Sequence, residues 1–306
     1  MKLLVINNLS SGLSDGSIYD FIRAFVRDGD EVCLRSTSGT TDIASLLSDA
    51  DGFDAVVASG GDGTIATVCT ELAHSGVPVL PFPAGTANLL ATNLASPLES
   101  HALAKLAREG REMDFDLGVL DVDGRRIGFN VMAGAGYDAA IMRNAEPAKK
   151  LLGSMAYFSA AISNPMPQTA KLRLVLDDEK TVETEGLGVL LVNFSKIQFD
   201  ITVTHANEPR DGLFEVVVLK AANAFELIPV LFAGILDRSG DYPDRGEALE
   251  IHRAAKVRIE AEPALEIQYD GEPTTMTTPF VAEILPQASR FIVSEEGFEL
   301  FDIEQG

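Results

Sequence analysis

One short run, Ser59-Gly60-Gly61-Asp62-Gly63-Thr64, follows an apolar stretch at 54–58 and precedes a helical pattern over about 65–74. Glycines adopt backbone angles closed to other residues, so successive N–H groups can turn toward one point. Without Cβ atoms in the way, a phosphate can approach the backbone closely. The start of the following helix adds unpaired donors and partial positive charge, and Thr64 adds a hydroxyl. The chemistry such a loop supports is phosphate binding. Asp62 is foreign to an anion site unless it meets the phosphates through Mg²⁺ or orients a donor. The run is not a Walker loop, because Gly-x-x-x-x-Gly-Lys-Ser/Thr is absent, and it is not the dinucleotide Gly-x-Gly-x-x-Gly. A strand-to-helix turn with no ligand is the competing reading.

A second loop repeats the theme. Pro81-Phe82-Pro83-Ala84-Gly85-Thr86-Ala87-Asn88 follows the next apolar strand and opens the next helix. In a parallel sheet both loops leave from the carboxyl ends of their strands, where ligands bind. Late in the chain, Asp270-Gly271-Glu272 sets two acids across one glycine. If that segment is extended, both project to the same side, and two like charges close together raise one pKa. By itself this reads equally as an acidic turn before Pro273. The four histidines show no His-x-x-x-His spacing, and no Ser-His-Asp order stands out, so zinc and hydrolase chemistry are set aside.

The elements that must carry these residues alternate at first. Apolar strands are expected at 3–7, 31–34, 54–58 and 77–81. Helices are expected at 17–27, from Asp42 through Leu47, and after each glycine loop. This order implies a parallel sheet with helices on both faces. After about Arg111 the pattern changes. Strands at 115–122 and 125–131 flank Asp123-Gly124, a hairpin signal. A helix is expected at 148–162, then strands at 170–176, 188–193, 214–219, 256–261, 264–269 and 280–284. That is a mostly antiparallel β domain. Strands at 291–293 and 299–303 either finish it or return to the first domain.

These residues resemble the diacylglycerol kinase catalytic-domain family, which includes bacterial lipid kinases and sphingosine kinases. The resemblance runs along almost the whole chain. It takes in Asn8-Leu9-Ser10-Ser11-Gly12, the Ser59–Thr64 run, Gly85-Thr86-Ala87-Asn88 and Asp116-Leu117-Gly118. It continues through Phe129-Asn130 with Gly134, Gly136, Tyr137 and Asp138, then Lys150, Gly153 and Tyr157, Arg210-Asp211-Gly212-Leu213 and Asp270-Gly271-Glu272. The glycine run is shared with NAD kinases and phosphofructokinases; the ordered set ending in Asp-Gly-Glu is more specific. The resemblance implies an α/β N-terminal domain of NAD kinase/diacylglycerol kinase type at 1–115 with a return at about 290–306. It implies a β-sandwich-like lipid-substrate domain at 116–289, and ATP in the cleft between them.

It further implies transfer of the ATP γ-phosphate to a lipid hydroxyl. ATP contacts would come from Ser11, Gly12, Thr37, Ser59, Gly60, Gly61, Asp62, Gly63, Thr64, Gly85, Thr86 and Asn88. Asp62 and Asp116 would anchor the Mg²⁺ and water network, and Glu272 would accept the proton, supported by Asp270. A separate structural Mg²⁺ site would use Asp211 with the carbonyls of Glu208 and Leu213. Lys150 would contact phosphate. For Thr37, Asp116, Asp211 and Lys150 the ordinary structural or solvated roles stay open. The chain departs from the family at Leu9, Leu13, Ala66, Thr67 and Leu89, which leaves altered ATP use open.

Composition sets the remaining limits. With 306 residues and 46% hydrophobic content there is room for two ordinary cores. A net charge of −22 argues against nucleic acid as a partner and against strong attraction to anionic lipid. The opening 1–6 reads as a buried strand and not as a signal peptide. Cys33 and Cys69 read as small apolar residues. The apolar stretch 225–236 reads as a helix packed on a core, with membrane contact at 228–235 as the alternative. A cytoplasmic protein is expected, in transient contact with the inner membrane face through a lipid alcohol substrate, and a homodimer is compatible with the fold. Two rivals stand beside the lipid kinase reading: a soluble-substrate kinase of the NAD kinase type, and a nucleotide- or lipid-binding regulator that has lost catalysis.

Overall fold

The computed structural model describes residues 1–11, 16–38, 41–136, 169–194, 196–197, 201–202, 208–220 and 249–302. The helix expected at 148–162, the apolar stretch 225–236, and Gly12, Leu13, Tyr137, Asp138, Lys150, Gly153 and Tyr157 lie outside these residues. The chain forms two compact units, Met1–Leu117 with Leu285–Gly306, and Gly118–Ile284.

In the first unit, β1 (Lys2–Asn8), β2 (Glu31–Thr37), β3 (Ala55–Gly60) and β4 (Val79–Pro83) make a parallel sheet in the order β2-β1-β3-β4. The crossovers carry α1 (Ser17–Phe25), α2 (Ile43–Leu46) and α3 (Asp62–Glu71); α4 (Leu89–Asn93) and α5 (Ser100–Glu109) follow β4. Leu3, Leu4, Val5 and Ile6 are all fully buried, so both faces of β1 are covered, as parallel sheets demand. On one face Leu3, Val5, Val57, Leu80 and Phe82 pack with Phe21, Phe25, Leu103 and Leu106. The Phe21 ring meets Phe82 edge-on at 5.6 Å and stacks on Phe25 at 6.1 Å.

The helix α3 begins three residues earlier than the apolar pattern suggests. Thr64 N and Ile65 N both donate to Gly61 O, at 3.0 and 3.1 Å, so the glycine turn passes straight into the helix. Apolar periodicity cannot register a first turn made of Asp, Gly and Thr.

The second unit is a sandwich of two sheets. The chain enters it through β5 (Arg111–Val122), which turns at Asp123-Gly124 into β6 (Arg125–Phe129) and continues to β7 (Met132–Gly136). Then come β8 (Ala170–Leu176), β9 (Lys180–Gly186), β10 (Gly188–Val192) and the short ribbon β11 (Lys196–Ile197) with β12 (Ile201–Thr202). The last are β13 (Phe214–Leu219), β14 (Leu249–Ala254), β15 (Lys256–Glu262), β16 (Glu266–Tyr269), β17 (Glu272–Thr277) and β18 (Phe280–Val293). One sheet runs β18-β15-β8-β9 and the other β14-β13-β10-β7-β16-β17. Leu172, Leu174, Val257, Ile259 and Ala282 of the first pack against Ala133, Ala135, Leu191, Val216, Val218 and Ile267 of the second.

Two expectations need correction. The strands expected at 280–284 and 291–293 are one continuous strand, β18, whose last part lies beside β4 with Phe291 opposite Val79. The strand expected at 299–303 is instead a helix, α6 (Glu295–Phe301). Ser294 caps it by accepting from Gly297 N at 3.0 Å. Phe298 and Phe301, three apart, share a helix face. Arg111 lies over the Phe298 ring, and Phe301 meets the Phe115 ring edge-on at 5.2 Å.

Candidate active site

The carboxyl ends of β1 to β4 lie along one edge of the first unit. The register sets Asn8 opposite Thr37, Asn7 opposite Ser59, and Gly60 opposite Pro83. Short polar side chains knit this edge together. Asn8 Nδ2 donates to Thr64 Oγ1 at 2.9 Å, Ser59 Oγ donates to Asn7 Oδ1 at 3.0 Å, and Gly61 N donates to Ser11 Oγ at 3.3 Å. Thr37 is buried, and its carbonyl accepts from Leu9 N.

Both glycine loops sit here in contact. A Cβ built on Gly85 would fall 2.5 Å from the Gly61 Cα, so only glycine lets the two backbones approach this closely. Ala84 N donates to Gly60 O at 3.1 Å. Asn88, at φ 51°, closes its own loop by accepting from Gly85 N and donating to Gly85 O, at 2.9 and 3.1 Å. Thr86 is exposed beside it. Gly85→Ala should therefore separate the loops. We expect a stability loss of about 1–3 kcal/mol and about tenfold weaker nucleotide binding, measured by melting and titration calorimetry. Gly52→Ala, where an added Cβ meets nothing within 4 Å, is the matched control.

Asp62 is buried at the first position of α3, and its Oδ1 accepts from Leu90 N at 3.1 Å. The amides of Leu89, Asn88 and Asp62 itself also favour the ionised form, yet burial outweighs them and pushes the carboxyl above its usual range. Asp62 thus joins the first loop to the start of α4. Leu89, which stands where the family has an acid, is buried with its amide directed to Asp62. Asp116 is buried in β5, and its Oδ1 accepts from Gln287 N at 2.8 Å.

In the second unit, Asp270-Gly271 forms the two-residue turn between β16 and β17, with Tyr269 opposite Glu272 and φ positive at both turn residues, 44° and 79°. The extended segment considered from sequence is therefore a hairpin turn, and the two acids part. Asp270 is buried, and its carboxylate accepts from Asn130 N, Val131 N and Met132 N at 2.8, 2.8 and 3.1 Å. Glu272 is exposed. The half-buried Tyr269 hydroxyl is pushed above its usual range by burial, with the charges of Glu272 and Asp270 adding to this and Arg125 opposing it. Asn193 Nδ2 donates to the Asn130 carbonyl at 2.7 Å. The resemblance singled out Asn130 without giving it a role, and Asn193 carries no sequence signal, since it ends an apolar run and looks like a turn residue.

The expected metal ligands divide. Among the described residues no group of three or more His, Cys, Asp or Glu is set to hold a metal. Asp62 fits a Mg²⁺ that brings most of its ligands as nucleotide phosphates and water, because a cation would offset the cost of its buried charge. The Asp211 set does not fit. Its Oδ1 accepts from Leu213 N at 2.9 Å, its Oδ2 is held by the Arg253 guanidinium, and the Glu208 carbonyl accepts from Arg210 N and Asp211 N at 2.6 and 3.1 Å. A guanidinium already stands where the cation would. EDTA should leave the melting temperature of the wild type unchanged, while Arg253→Met should lower it and make it respond to added Mg²⁺.

Residues 2–120 match the family model of the diacylglycerol kinase catalytic domain, and residues 131–293 match that of the YegS C-terminal NAD kinase beta sandwich-like domain. The chain belongs to the diacylglycerol kinase family. Among similar members, a Chromohalobacter salexigens protein named "Probable lipid kinase YegS-like" is 27% identical over 93% of this chain and 90% of its own length. A Mycobacterium tuberculosis diacylglycerol kinase is 26% identical over 77% and 74%. An uncharacterised Synechocystis protein is 26% identical over 80% of this chain, which spans 56% of that protein. In fold, a diacylglycerol kinase of Bacillus anthracis superposes with TM-score 0.71 at 18% identity, covering 96% of this chain and 97% of its own. An Archaeoglobus fulgidus NAD kinase in complex with ATP superposes at 0.54 and 15% identity, covering 98% and 96%. The two-domain fold implied by the resemblance is thus that of the diacylglycerol kinase and NAD kinase group. Among the described residues no helix is long and apolar enough to cross a membrane.

Proposed function

We propose that this member of the kinase family transfers the γ-phosphate of ATP to the hydroxyl of a lipid such as diacylglycerol. The observation that carries the reading is the contact of Gly61 with Gly85 at the ends of β3 and β4, in the part of the chain that matches the catalytic-domain family. The names of the relatives that act on lipids support the acceptor class.

Phosphoryl transfer asks the protein chiefly to align the reactants and offset phosphate charge. The backbone donors at the start of α3, with Thr64 and Thr86, hold the nucleotide phosphates. Mg²⁺ bound with the nucleotide would supply charge neutralisation, and Asp62 would be the carboxylate that holds it. Glu272 takes the proton of the acceptor hydroxyl. Asp270 contributes by fixing the turn from which Glu272 projects and the 130–132 backbone beside it. Acceptor lipids lie in membranes, so contact with a membrane surface is transient and peripheral.

The test is an assay with Mg²⁺ and radiolabelled ATP over diacylglycerol, a sphingoid base, a polyprenol and NAD, beside an active lipid kinase. A labelled lipid phosphate is expected. Label in NAD alone, or in no acceptor at all, would reject the proposal.

A further inference from the structure

The six-stranded sheet of the second unit ends in a cluster of buried polar groups. Asn130 and Val131 precede β7, Asn193 follows β10, Glu215 is the second residue of β13, opposite Val192, and the Asp270 turn follows β16. Asn130 is 1% exposed. Its backbone is held twice, by donation from its N to Asp270 Oδ2 and by acceptance at its carbonyl from Asn193 Nδ2. Its side chain differs: among the described residues neither Oδ1 nor Nδ2 has a hydrogen-bond partner. Glu215 Oε2 in the same cluster is likewise buried without one.

A carboxamide carries two donors and an acceptor with two lone pairs, and folded proteins rarely bury one unanswered. Here the backbone is fastened on both sides while the functional end is buried and unanswered. A residue whose backbone is already fixed loses little freedom when a ligand answers its side chain. The hydrogen bond from Asn130 N to Asp270 Oδ2 sets this residue beside the turn that carries Glu272, two residues on.

Resting on the kinase reading above, we propose that the Asn130 carboxamide binds the headgroup of the acceptor. A hydroxyl that gives its proton to Glu272 has one oxygen to offer, and a carboxamide answers two groups at once. The acceptor class that satisfies both is an alcohol with a second oxygen function next to the reacting hydroxyl. A glycerolipid with its ester beside the free hydroxyl meets this; an isoprenoid alcohol with a single oxygen does not. Nδ2 donates to the ester carbonyl and Oδ1 accepts from any further hydroxyl.

The test compares the full-length wild type with Asn130→Leu, using 1,2-dioctanoylglycerol and farnesol as acceptors. Replacing an unanswered polar group by an apolar one of similar shape is neutral or stabilising, so the melting temperature should hold or rise. At the same time kcat/KM for dioctanoylglycerol should fall about 30-fold or more, chiefly through KM, and the preference over farnesol should fall with it. In parallel, ¹⁵N-asparagine labelling reads the side-chain amide directly, with the Asn130 pair assigned by its absence from Asn130→Asp. Dioctanoylglycerol should shift that pair and farnesol should not. This readout needs no turnover: a wild type that phosphorylates neither alcohol removes the kinase reading and leaves the amide shift to decide the contact. A lower melting temperature in Asn130→Leu, equal losses on both acceptors, or an unmoved amide pair overturns the inference and makes Asn130 an internal structural group.

Discussion

Glu272→Gln is expected to lower kcat for lipid phosphorylation by about 10²–10⁴-fold, the range of a lost general base. The Michaelis constant for ATP should change little. The glutamine keeps the size of the side chain, and Asp270 fixes the turn through the amides of residues 130–132. Stability should therefore stay within about 0.5 kcal/mol of wild type, as for other surface substitutions. Steady-state kinetics at saturating lipid with varied ATP make the measurement. A large rise in the ATP constant with kcat intact would show that Glu272 binds nucleotide and does not act on the acceptor.

Asp62→Asn should abolish transfer to a similar degree, about 10³-fold, and should hold or raise stability. An asparagine Oδ1 can still accept from Leu90 N, so the tie between the first loop and α4 persists. The sign follows from burial, which pushes the Asp62 carboxyl above its ordinary value of 3.8. Above that raised value the folded protein holds a buried charge that the unfolded chain carries in water at no cost. As the pH falls through it, the folded form takes up the proton first and the penalty disappears. The gain in melting temperature of Asp62→Asn should thus be full at neutral pH in metal-free buffer and should shrink toward zero in acid. A variant less stable than wild type at neutral pH would contradict this.

Local chemistry carried much of the organisation. Alternating apolar stretches marked the four parallel strands, because strands buried on both faces must read as continuous runs such as 3–6. Asp123-Gly124 marked a hairpin, because those two residues accept the positive φ angles its turn needs. The strands β9, β14 and β17 were not legible. Their residues are mostly polar and half-exposed, as in Lys180–Gly186 and Glu272–Thr277, so no apolar run announces them. The helix α6 reads as a strand from its residues alone, because a short segment with Phe298, Leu300 and Phe301 satisfies either period until a cap and a packing partner choose between them.

By itself the amino-acid order determined that two glycine loops each close a strand and open a helix, since backbone angles and missing Cβ atoms are properties of the residues. It also placed an Asp-Gly-Glu run late in the chain and left open whether that run is extended or a turn. Only the tertiary structure decided that Gly61 lies against Gly85, that Asp62 reaches across to α4, that Arg253 answers Asp211, and that Asp270 gathers three amides from residues about 140 positions away. Such pairings depend on strand order and register, which are set by the packing of whole sheets and leave no trace in the spacing of nearby residues.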